Sequence, residues 1–93
     1  MSEPRYRRSP EALHSNIGED IVALHVRRGN CYGMEKVTAD VWRMLEEELD
    51  IDQICERLTH IYDVDDATCR ADVTKLIDTM KDEGLIEVAA NPH

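Results

Sequence analysis

Phenylalanine is absent from this sequence, and Trp42 and three tyrosines are its only aromatic residues. The core must therefore be aliphatic. No apolar run approaches the ~18 residues that a membrane span requires. The tail from Met1 to Pro10 holds three arginines with no hydrophobic stretch after them, so it is not a secretory signal. Cysteine is scarce too: Cys31, Cys55 and Cys69 are odd in number and widely spaced, which excludes a complete disulfide framework and fits a reducing, cytoplasmic setting. Basic residues are outnumbered, 11 against 20 acidic, for a net charge of −9. Nucleic acid and anionic membrane surfaces repel such a chain. At 93 residues it has room for one domain with a thin core, and little for an enclosed pocket with a full catalytic apparatus.

What is present points to a folded domain, since 42% of the residues are hydrophobic. Charge divides it. Residues 1–45 carry seven basic and six acidic groups, a net of +1, whereas residues 46–83 carry four and thirteen, a net of −9. The hydrophobic period changes at the same place. Val22, Leu24 and Val26 alternate with Ile21, Ala23 and His25, as in a half-buried strand. Leu13 and Ile17 flank a shorter strand before it, and Cys31-Tyr32-Gly33-Met34 begins a third. Turns at Gly18-Glu19-Asp20 and Arg28-Gly29-Asn30 join the three into an antiparallel meander.

The second half predicts three helices. Thr38 is the expected N-cap of the first, with Val41, Trp42, Leu45 and Leu49 on one stripe. Asp50 caps the second, with Gln53 in the capping-box position, and Ile54, Cys55, Leu58, Ile61 and Tyr62 are its apolar face. Asp65 or Asp66 starts the third, which shows Cys69, Val73, Leu76, Ile77 and Met80 and stops at Gly84. Leu85-Ile86-Glu87-Val88 then forms a short final strand or packs as a tail. The fold class is α+β: a three-stranded antiparallel sheet followed by a three-helix bundle.

Chemistry-bearing patterns are few. The cysteines show no CxxC, and His14, His25, His60 and His93 have no paired ligand spacing, so no metal site is expected. Cys55 and Cys69 fall on apolar stripes, where a thiol acts as a small hydrophobe. No local motif pairs a nucleophile with a base, and Glu46-Glu47-Glu48 and Asp65-Asp66 read as solvated charge. Neither enzyme activity nor a cofactor is expected. Strands followed by three helices also suit a winged-helix DNA-binding regulator. Residues 65–83, the would-be recognition helix, carry six acidic against three basic groups, which opposes phosphate contact. What remains is a peptide-binding edge. No strand follows Cys31–Met34 in sequence, and an unpaired edge there accepts an extended peptide unless it is blunted.

The run from Ile21 to Met34 resembles the strand-turn-strand of PqqD-like proteins, with Met34-Glu35 where Leu-Asn is common in that family. Val37-Thr38-Ala39-Asp40-Val41-Trp42 is similar to the start of its first helix. Asp50-Ile51-Asp52-Gln53-Ile54 and Tyr62-Asp63-Val64 are similar to its next two segments. Arg70-Ala71-Asp72-Val73, Leu76-Ile77 and Gly84-Leu85-Ile86 resemble its ending. Each piece is short, and their order and spacing over about residues 7–88 carry the specificity.

The resemblance implies one winged-helix-like recognition domain over residues 1–93, with a folded core of about 7–88. Such domains bind the leader of a ribosomally made, post-translationally modified precursor peptide as an added strand between the third strand and third helix. They present it to separate enzymes. For a free-standing chain the resemblance implies the discrete proteins of lasso-peptide biosynthesis, whose partners are a transglutaminase-like leader peptidase and an asparagine-synthetase-like cyclase. A radical-SAM enzyme, as in pyrroloquinoline quinone synthesis, is the alternative partner. Carried onto this chain, Cys31, Tyr32, Gly33 and Met34 offer main-chain hydrogen bonds, and Arg70, Val73, Thr74 and Ile77 line the opposing helix. Val73 and Ile77 are equally candidates for the core. Arg70 is the expected reader of a leader carboxylate, Trp42 an anchor of the core, and the acidic second helix either a solvated face or a docking face for a basic enzyme.

Overall fold

The computed structural model describes residues 4–90; His93 and residues 1–3 of the arginine-bearing tail lie outside them. Eight elements follow in order: β1 (Arg5–Arg8), β2 (Ala12–Ile17), β3 (Asp20–His25), β4 (Cys31–Met34), α1 (Lys36–Met44), α2 (Ile51–Ile61), α3 (Asp66–Asp82) and β5 (Ile86–Ala90). Strands β2, β3 and β4 form the expected meander in that order. Alternation fixes its faces. Ile21, Ala23 and His25 are buried, and their cross-strand partner Met34 is buried beside them, while Val26 and Leu13 are exposed.

Helix boundaries follow local chemistry in two cases out of three. Asp50 and Gln53 form the capping box, with the Gln53 N–H donating to Asp50 Oδ1 at 2.8 Å and the Asp50 N–H to Gln53 Oε1 at 3.0 Å. Asp65 caps α3 by accepting from the Thr68 N–H at 3.1 Å. The bonds from Thr68 hold its carboxyl below the usual aspartate range. Thr38 does not cap α1. That helix begins three residues earlier than such a cap would place it, after Glu35, which makes no side-chain cap bond, because the chain turns sharply through Lys36 at φ 42°. At the end of α3, Gly84 adopts φ 77°, the Gly84 N–H reaches the Lys81 carbonyl and the Leu85 N–H reaches the Met80 carbonyl, both at 3.0 Å. This is a Schellman closure, and it turns the chain into β5.

The sequence reading did not contain β1. It pairs antiparallel with β5, matching Tyr6 with Val88 and Arg7 with Glu87. Its other side is tied to the loop after α1, where the Tyr6 N–H donates to the Leu49 carbonyl at 2.8 Å and the Leu49 N–H donates to the Tyr6 carbonyl at 3.1 Å. Tyr6 is the buried residue of the strand. The aliphatic core lies between the meander and the helices, with Trp42 at its centre and fully buried. The Arg8 guanidinium stacks 5.0 Å from the Trp42 ring centroid and His14 meets its edge at 5.8 Å. Leu45, Leu49, Ile54, Cys55, Leu58, Cys69, Val73, Ile77 and Met80 complete the expected stripes, whereas Ile61 is 59% exposed at the end of α2.

Candidate functional site

β4 is an outer strand of its sheet, so one side of its backbone has no strand partner. The His25 N–H donates to the Asn30 carbonyl at 3.1 Å. Hydrogen-bonded pairs alternate along an antiparallel ladder. Tyr32 and Met34, opposite Ala23 and Ile21, therefore spend their main-chain groups on β3. Cys31 and Gly33 turn theirs outward. Side chains alternate in the other sense: Met34 is buried and Tyr32 half-buried, while Cys31 and Gly33 are exposed.

The outward edge faces α3. A cavity of about 190 Å³ separates them, lined by Tyr32, Gly33 and Met34 on one side and Leu76, Thr79, Met80 and Glu83 on the other. Thr38 and Leu76 carry it into a second hollow of about 280 Å³, bounded also by Val37, Asp72 and Val73. Those three residues continue into a third, of about 260 Å³, closed by Leu58, Tyr62, Val64 and Cys69. The result is one groove along α3. At one end Glu83 accepts a hydrogen bond from the Tyr32 hydroxyl, which raises the Tyr32 pKa above the usual phenol value. Near the other, Asp40 accepts from Tyr62 and raises its pKa in the same way.

Four of the eight expected site residues line this groove: Tyr32, Gly33, Met34 and Val73. Cys31 adjoins it on the exposed face of the same strand. The other three lie elsewhere. Arg70 pairs with Asp52 at the start of α2. Thr74 is exposed and donates its hydroxyl to the Arg70 carbonyl at 2.7 Å. Ile77 has no exposed surface and belongs to the core. The helix wall is instead Asp72, Leu76, Thr79 and Glu83, spaced i, i+4, i+7 and i+11. A buried stripe has two flanks, and sequence periodicity does not say which one meets the sheet. One signal was available: Leu76 makes its flank partly apolar, whereas Arg70, Thr74 and Lys81 make the other polar.

Among the described residues, no three His, Cys, Asp or Glu side chains cluster as metal ligands, and no helix is long and apolar enough to cross a membrane. Cys55 and Cys69 are buried, as their places on the stripes implied, and Cys31 is exposed.

The family model described as coenzyme PQQ synthesis protein D (PqqD) matches residues 20–86. No curated protein matches the chain in sequence. Among solved structures, "TbiB1 in Complex with the TbiA(beta) Leader Peptide" is 25% identical, with a TM-score of 0.83 over 91% of this chain and 99% of that one. "Lasso peptide synthetase B1 complexed with the leader peptide" is 21% identical, with a TM-score of 0.79 over 88% and 96%, a likeness of fold.

Proposed function

Since the chain belongs to the family of coenzyme PQQ synthesis protein D (PqqD), we propose that it binds the leader of a ribosomally made precursor peptide as a strand added to β4. It then presents that peptide to separate modifying enzymes. The observation that carries this reading is the free edge of β4 lying across an apolar groove from α3. Main-chain groups of Cys31 and Gly33 supply affinity without regard to sequence, and the groove supplies selectivity. The TbiB1 structure, a complex with the TbiA(beta) leader peptide, supports the same reading.

The chain works by binding alone and in the cytoplasm. Cys69 lines the groove, and among the described residues no histidine lies beside it as a base, which supports the binding reading. The partners are a transglutaminase-like leader peptidase and an asparagine-synthetase-like cyclase. A radical-SAM partner is the second reading, favoured by the description of the matching family. Duplex DNA is disfavoured by the acidic surface of α3.

Calorimetric titration with the leader encoded beside this chain tests the proposal. The wild type binds it without turnover. Gly33→Pro removes an outward N–H donor and weakens binding tenfold or more, while circular dichroism confirms the fold. Undiminished affinity in a folded Gly33→Pro chain would refute strand addition at β4.

A further inference from the structure

Among the described residues that line the groove, the charged side chains are the carboxylates Asp72 and Glu83, with no Lys or Arg. Asp72 lines its middle and upper hollows, and Glu83 lines its lower end. They stand eleven residues apart, about three helical turns, so both fall on the same line of α3 with Leu76 and Thr79 between them. Glu83 accepts the Tyr32 hydroxyl through Oε2, which leaves its other oxygen for a second donor. Arg28 is close enough to act on Tyr32 and keeps its positive charge while donating to the Asp82 carbonyl at 2.7 Å, so Asp72 is the less opposed of the two carboxyls. Arg70, the cation nearest in sequence to Asp72, pairs with Asp52 on the far flank, and Lys75, three residues after Asp72, neighbours it on the surface of α3 outside the groove lining.

We infer that the groove is selective for leader peptides carrying two basic residues, one read by Asp72 and the other by Glu83. The spacing follows from the two geometries. Eleven residues of helix rise roughly 16 Å, and a strand advances about 3.3 Å per residue, so the separation corresponds to roughly five positions. Strand side chains alternate between faces, and both carboxyls belong to the same wall, Asp72 within α3 and Glu83 at its C-cap. The two basic residues therefore stand four or six positions apart, on the face turned toward the helix. Long Lys or Arg stems absorb the remaining difference and cover Leu76 on the way. This inference rests on the leader-binding proposal and names the class of leader.

A random dodecapeptide library displayed on phage, selected against the immobilised full chain, provides the test. The expected binders are enriched in Lys or Arg at two positions of equal parity. In the Asp72→Lys chain the preference at one position changes to Asp or Glu, and in Glu83→Lys the preference at the other does. A synthetic wild-type binder loses roughly 3- to 10-fold in affinity to each reversal. Asp72→Asn and Glu83→Gln, which leave the helix surface undisturbed, give smaller losses in the same direction. Binders without charge preference, or a preference that both reversals leave unchanged, would overturn the inference. If those binders still fail to bind Gly33→Pro, the leader-binding proposal survives that result. A selection that enriches no peptide overturns both.

Discussion

Leu76 and Ile77 are neighbours on α3 with opposite duties, and truncating each to alanine separates the groove from the core. Ile77 has no exposed surface, so Ile77→Ala removes buried methyl and methylene groups and leaves a cavity. That costs about 2–5 kcal/mol, against a total stability of roughly 5–14 kcal/mol for a domain of this length. Taking ~3 kcal/mol, and about 4–8 °C for each kcal/mol, the melting temperature falls by roughly 12–24 °C. Leu76 is partly buried and lines the groove. Leu76→Ala costs about 1 kcal/mol of stability, because much of its surface is wet before the peptide arrives. On binding, the peptide covers that surface, so the variant loses about 1–2 kcal/mol of affinity, or roughly 5- to 30-fold. Thermal unfolding by circular dichroism reads the first effect and calorimetry with the leader the second. Thr74→Ala, on the opposite flank, leaves both within about twofold or a few degrees. If Thr74→Ala weakens binding tenfold while Leu76→Ala does not, the groove has been placed on the wrong side of α3.

Two further predictions concern the ends of the site. A Cβ at Gly84 would lie 2.9 Å from His25 Cδ2 and 3.1 Å from Arg28 Cζ, in a backbone region that already costs an alanine about 1–2 kcal/mol. Gly29→Ala meets the same backbone cost at φ 72° with nothing within 4 Å, so Gly84→Ala should be the more destabilising by about 1–3 kcal/mol in urea unfolding; equal losses would refute the crowding. The Tyr32 hydroxyl donates to Glu83, which raises its folded pKa, so the stabilisation is complete below the ordinary tyrosine range and is lost as pH rises through the raised value. In a Tyr6→Phe, Tyr62→Phe background, where Tyr32 is the one tyrosine left, Glu83→Gln should bring the phenolate absorbance in at lower pH, and an unchanged titration would mean that the bond is not formed.

The parts of the fold legible in the sequence are those fixed by neighbours along the chain. The alternation from Ile21 to His25 and the Asp50–Gln53 box each involve contacts within a few residues, and both hold. β1 was missed because its partner lies some 80 residues away and its own sequence, Arg5-Tyr6-Arg7-Arg8, reads as solvated charge. Tyr6 alone is buried there, and one apolar residue in four establishes no period. Thr38 failed as a cap for a different reason. Its chemistry is suitable, but the turn through Lys36 starts the helix before it, and positive φ at a lysine has no signature in sequence.

In the groove, β4 lies where the sequence places it, whereas the flank of α3 that faces it is not the one expected, and the two flanks imply ligands of opposite sign. Arg70 and Asp72 stand about 200° apart around α3, so choosing one flank implies a leader carboxylate and choosing the other a leader cation. The sequence did contain a bias between the two. Thirteen of the seventeen charged residues between 46 and 83 are acidic, so a face drawn from that stretch is more often negative than positive. Assigning recognition to Arg70 required the groove to have found an exception. Arg70 lies instead on the outer flank, where it pairs with Asp52 of α2 at the surface. An acidic surplus that repels phosphate backbones thus leaves, beside the open edge of β4, carboxyls of the sign a basic peptide would meet.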